Sequence, residues 1–129
     1  MYIGIVTIFV QDQDRAKKFY LEQLGWELVD DEPMGEMGRW LSVKPPGAQT
    51  AVTLMKGTGD GRPEKAMGNS GIAIECDDVF AATESLKKKG VQFTTEPSIE
   101  FFGGWAMFQD SEGNVIGLHS PAPVAAATQ

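Results

Sequence analysis

Two stretches of this chain, half its length apart, follow one plan, and that limits the fold more than any single motif does. Thr7 to Leu28 reads TIFVQDQDRAKKFYLEQLGWEL, and Ala73 to Phe93 reads AIECDDVFAATESLKKKGVQF. Each is an apolar β-prone run, an aspartate, a helical stretch, a glycine and a second β-prone run. Asp12 stands two residues after Val10 and thirteen before Gly25; Asp78 stands two after Cys76 and twelve before Gly90. A unit that recurs once, at a spacing of about 65 residues, predicts two similar halves with a site between them.

The flanking segments extend each copy. Tyr2 to Val10 alternates Ile5, Thr7 and Phe9 with Val6, Ile8 and Val10, so both faces of the strand need cover. Asp12 or Asp14 caps a helix that runs to about Leu24, with Ala16, Phe19, Tyr20 and Leu24 at helical spacing. Strands follow at Trp26–Asp30, Arg39–Val43 and Thr50–Met55. The second half repeats the order. A strand spans Gly71–Cys76, Asp77 or Asp78 caps a helix that Gly90 stops, and strands follow at Val91–Thr95, Gly104–Gln109 and Asn114–His119. Pro97–Phe102 reads as a loop or bent strand, and Asp110–Gly113 as a tight turn. The prediction is an α+β fold. Two β-α-β-β-β modules, about 2–56 and 70–121, form curved sheets around a central cleft, with helices on the outer faces. Residues 57–69 read as a linker within this single domain of 1–121, and 122–129 as a flexible tail.

Charge narrows the partners. The 129 residues carry a net charge of −7 and a pI of about 4.6. Nucleic acid and anionic membrane both call for basic patches, so neither is expected as a partner. Cys76 is the only cysteine, which excludes an intrachain disulfide; at the end of an apolar run it reads as a structural thiol. The N-terminus has no basic region followed by a long apolar segment, so the cytoplasm is the default location.

Three segments carry a family resemblance: VTIFVQDQDRAKKFYLEQLGWEL, RWLSVKPPGAQTAVTLM and MFQDSEGNVIGLHSP. Together they resemble the glyoxalase I / bleomycin resistance protein / extradiol dioxygenase family, the vicinal oxygen chelate superfamily. The resemblance covers about residues 2 to 121. It implies paired β-α-β-β-β modules, a homodimer, and in the enzymes a divalent metal held by His, Glu or Gln side chains that polarises substrate oxygens. The ligand positions fall on Ile5, Thr53, Gly71 and Gly117 here. Ile and Gly offer no donor side chain, and a neutral Thr hydroxyl is a poor one. The resemblance therefore implies a member without the metal ligands, no cofactor, and kinship with resistance proteins that sequester a drug.

Several residues remain as candidates. His119, the only histidine, is a single metal ligand, a general base, a hydrogen-bond donor to a ligand, or a strand-end residue paired with backbone or solvent. Glu75 lies in an apolar strand on the face of Gly71 and Ala73, where an acid attracts a cationic ligand or simply reaches water. Phe9, Trp40, Phe101, Phe102 and Trp105 serve as stacking platforms for a planar ligand or as core packing. Gly71 and Gly117 leave room for a bulky molecule or accommodate strand twist. The expected ligand-binding set is Phe9, Trp40, Thr53, Glu75, Phe102, Trp105 and His119, with His119 and Glu75 also the catalytic candidates. The favoured function is metal-independent binding of an organic, aromatic or cationic small molecule. The alternatives are a lyase, isomerase or dioxygenase-like enzyme working through His119 and Glu75 or through an unrecognised metal, and a regulatory module that interacts through its sheet surface.

Overall fold

A computed structural model describes residues 1–57 and 68–122. Most of the expected linker, 58–67, and the expected tail from 123 onward lie outside the described residues, and Asn69 already begins a strand. The chain divides into two compact units: Met1–Gly68 with Asp110–Asn114, and Asn69–Gln109 with Val115–Gln129.

Unit 1 holds β1 (Ile5–Val10), α1 (Gln13–Lys18), β2 (Glu27–Pro33), β3 (Arg39–Lys44) and β4 (Ala51–Lys56). Its strands lie in the order β1-β4-β3-β2, with β1 parallel to β4 and the other pairs antiparallel. Unit 2 holds β5 (Asn69–Glu75), α2 (Val79–Lys88), β6 (Gln92–Glu100), β7 (Gly103–Gln109) and β8 (Val115–Ser120). Its order, β5-β8-β7-β6, is the same, with β5 parallel to β8. The sequence repeat is thus a repeat of topology.

Alternation along the strands sets each core. Ile8, Val10, Leu41, Val43, Val52 and Leu54 are buried beside Ala16, Phe19 and Tyr20 of the unit 1 helix. Ile5, of the opposite parity, is 55% exposed. Each side chain buried in this way contributes on the order of 1.5–3 kcal/mol. In unit 2, Val79 of α2 packs on Ala106 and Leu118, ringed by Ile74, Cys76, Ala82, Leu86 and Phe93. Gly104 is needed here, because a Cβ would collide with the Ser120 hydroxyl and with Val79.

The helices start where predicted. Asp12 accepts the Arg15 amide, and Asp78 accepts those of Phe80 and Ala81. The first helix does not stay α to its end. Phe19–Gln23 form a π-turn, closed by the Leu24 amide on the Phe19 carbonyl. Gly25 then takes φ 73°, the left-handed stop. Other boundaries differ too: β2 runs on to Pro33, past the expected end at Asp30, and most of Val91–Thr95 and Pro97–Phe102 is a single strand, β6, because bulges between Phe93 and Thr95 and between Thr95 and Ser98 absorb the proline without ending the pairing with β7.

Asp110–Asn114 connects β7 to β8 yet belongs to unit 1. The Asp110 carboxylate accepts the Tyr20 hydroxyl at 2.7 Å, the amides of Glu112 and Asn114, and the Asn114 side-chain amide. Asn114 also donates to the Phe9 carbonyl. Glu112, with no side-chain exposure, takes Arg15 in a two-pronged ion pair and accepts the amides of Gln11 and Asp12.

Candidate functional site

The candidate side chains sort by strand parity onto the sheet faces turned away from the helices. In unit 2, Glu75 of β5 lies opposite His119 of β8, and His119 opposite Trp105 of β7. His119 Nδ1 is 2.6 Å from the Glu75 carboxylate and Nε2 is 2.7 Å from the Phe102 carbonyl. A carbonyl only accepts, so Nε2 carries a hydrogen; a carboxylate accepts from Nδ1–H. Only the protonated ring satisfies both acceptors at once, so the geometry favours the imidazolium form. The Phe102 carbonyl first, then the Glu75 carboxylate, raise the His119 pKa above its ordinary value of 6.5.

The aromatic residues assemble around this pair. The Phe102 ring lies nearly parallel to the imidazole, 18° and 6.2 Å apart, and meets the Trp105 indole edge-on at 5.7 Å. Phe101 is fully exposed and touches Phe102 edge-on at 5.1 Å. Gly117 does not leave the empty space expected of it: a Cβ there would run into the six-membered ring of Trp105, which fills the place of the absent side chain. Gly71, at φ 74°, has open space around it. Gly103 permits the His119–Phe102 contact, since a Cβ would overlap the Ser120 carbonyl and lie 3.0 Å from His119 Nε2.

In unit 1, Phe9, Trp40 and Thr53 share the face of Thr7 and Ser42 by register. Phe9 and Trp40 are half-buried. Thr53 is only 1% exposed, and its hydroxyl is already engaged with Thr7 Oγ1 at 2.8 Å and the Val6 carbonyl. These two bonds tie β4 to β1.

The residues present do not fit the divalent metal of the superfamily's enzymes. Ile5, Gly71 and Gly117 have no donor side chain, the Thr53 hydroxyl is hydrogen-bonded to Thr7 and to the Val6 carbonyl, and both His119 ring nitrogens are already in contact with Glu75 and Phe102. Among the described residues no three His, Cys, Asp or Glu side chains gather as a metal site would require. Cys76, half-buried, has its thiol pKa raised by burial, which disfavours the thiolate a nucleophile needs.

Sequence reasoning missed Gln13. Its buried amide spans three backbone groups, donating to the carbonyls of Arg39 and Leu54 and accepting the Arg39 amide. It missed Glu112 as well, although the Asp-x-x-Gly-Asn turn around it was visible. No local signal marks the Phe102 carbonyl as the acceptor for His119, because that contact depends on how β7 lies beside β8.

Comparison with known proteins agrees with this architecture. The family model for the glyoxalase/bleomycin resistance protein/dioxygenase superfamily matches residues 2–118, and the chain belongs to that superfamily. TnmS3, an antibiotic binding protein from Streptomyces sp. CB03234, has a similar structure, with TM-score 0.82 and 37% identity over 95% of this chain and 97% of its own. A superfamily member from Sphaerobacter thermophilus superposes with TM-score 0.80 at 33% identity, covering 93% of this chain and 97% of that one. The uncharacterized protein YetH of Bacillus subtilis is 36% identical over 88% of this chain and 93% of its own.

Proposed function

We propose that this chain is a metal-independent small-molecule binding protein that holds an organic ligand with an aromatic system against the helix-free face of the second sheet. The observation that carries it is the half-exposed pair of Phe102 and Trp105, set edge to face beside the Glu75–His119 pair. Aromatic rings held in this way give a planar ligand both a face and an edge to pack on. Similarity to an antibiotic binding protein at 37% identity supports the same reading. The pairing of Glu75 with His119 at 2.6 Å favours an uncharged ligand over a cationic one while the ring is protonated, because the carboxylate then has its counter-charge. His119 has no general-base role in this reading, because Nε2, the nitrogen that the Glu75 pairing leaves for a substrate, is bonded to the Phe102 carbonyl.

Titration calorimetry with neutral and cationic planar aromatic compounds tests the proposal. Trp105→Ala is expected to weaken binding about tenfold, the scale of losing one stacked aromatic partner. Unchanged affinity in that variant, with the fold intact by circular dichroism, sinks it. Metal analysis of protein purified without chelator tests the metal-free part; stoichiometric Mn, Fe, Zn or Ni overturns it. We further propose a homodimer, supported by the exposed Tyr2, Ile3 and Ile5 at the free edge of β1, with light scattering as the check.

A further inference from the structure

We propose that His119 is a positioning residue: its doubly donating ring pins the Phe102 backbone to Glu75, holds the Phe102–Trp105 wall in its binding geometry, and releases it when the ring loses a proton. This rests on the binding face proposed above, and adds its control by pH.

The argument is geometric. Phe101 and Phe102 form the tip between β6 and β7, and Phe102 is 45% exposed, so apolar burial alone holds it weakly. Contacts from the rest of the sheet to Phe102 are the Nε2 bond to its carbonyl, the stacking of its ring beside the imidazole and its edge-on packing on Trp105. The bond comes from β8, and β5 supplies its counter-charge through Glu75. Two strands and the β6–β7 turn therefore meet at one imidazole. Gly103 is the condition for this meeting, as any side chain there would push into the Ser120 carbonyl and crowd Nε2. A neutral ring has one N–H for two acceptors. The carboxylate is the stronger acceptor, so the remaining hydrogen stays on Nδ1 toward Glu75, and Nε2 turns a bare lone pair to the Phe102 carbonyl. Glu75 is the titratable group in contact with the ring; the contacts from β7 and its tip are the Phe102 carbonyl and ring.

The sign follows from the chemistry. The folded-state pKa is raised, so the latch is complete below about pH 6.5, the ordinary value, and is lost as pH rises through the higher folded value.

As the only histidine, His119 gives a single ring signal in the NMR spectrum of the whole protein. The expected result is a titration above pH 6.5 that the Trp105 indole N–H, assigned by its absence in Trp105→Phe, follows with the same midpoint. In Glu75→Gln the midpoint should fall. A Trp105 signal that stays still while His119 titrates, or a His119 midpoint at or below 6.5, overturns the latch with no ligand involved. A second arm uses the neutral fluorescent probe N-phenyl-1-naphthylamine. Its affinity should fall about tenfold across the same midpoint, the scale of one charge-assisted hydrogen bond, and be low and pH-independent in His119→Phe. Pinned Trp105 behaviour with no probe binding at any pH overturns the binding face alone. Probe affinity that ignores the titration overturns the latch alone.

Discussion

Five hydrogen bonds converge on the Glu112 carboxylate, from the Gln11 and Asp12 amides, two Arg15 nitrogens and the Ser111 hydroxyl. A carboxylate without solvent is costly, and burial pushes its pKa up; the Arg15 guanidinium, the Asp12 amide and the Ser111 hydroxyl together outweigh that and leave it below the ordinary 4.5. Its stabilisation is therefore present above about pH 4.5 and is lost as pH falls through the lowered folded value. Glu112→Ala should cost about 2–4 kcal/mol in urea denaturation at neutral pH, since it strands two backbone amides; half-exposed Arg15 turns to water and limits the loss. Glu112→Gln should flatten the acid limb of the stability profile. At Gly117, Ala should displace the Trp105 ring, with a shifted tryptophan emission and a loss of about 1–3 kcal/mol from overpacking. Neither effect is visible in the local sequence. Glycine at a family ligand position looks like an empty slot until the indole two strand positions away is seen lying in it.

At the scale of elements, local chemistry decided most of the outcome. Asp12 and Asp78 were legible as caps because a short acid before a helical period has one favourable use. Asp78→Ala is expected to cost about 1 kcal/mol, measured by thermal melting, with α2 fraying from its first turn. Strand parity was equally legible, and correctly separated Ile8 and Val10 from Ile5 and Thr7. The continuity of β6 through Pro97 was not, because a bulge depends on the partner strand that tolerates it. The π-turn at Phe19–Gln23 escaped for a related reason. It is closed by one wider backbone bond, and its Tyr20 hydroxyl ends on Asp110, which is 90 residues away in the chain.

At the scale of the molecule, a segment from the second repeat completes the unit built by the first. Residues 1–68 made alone would lack Asp110, Glu112 and Asn114, and would leave Tyr20, Arg15 and the Phe9 carbonyl without these partners. Such a fragment should show no cooperative unfolding by circular dichroism, whereas the whole chain does; a piece of this size is marginal even with its contacts intact. The whole chain has no described helix long and apolar enough to cross a membrane. What the sequence determined by itself was the repeat, its caps and stops, the parity of each strand, and the lack of donors at Ile5, Gly71 and Gly117. All of these are properties of neighbours within a few residues, where period and side-chain chemistry act directly. Only the tertiary structure decided that the Thr53 hydroxyl meets Thr7, that Trp105 fills the place above Gly117, and that the His119 ring lies between the Glu75 carboxylate and the Phe102 carbonyl. Those outcomes depend on strands brought together across tens of residues, and a hydrogen bond or a van der Waals contact is settled by ångströms that no pattern in the chain encodes.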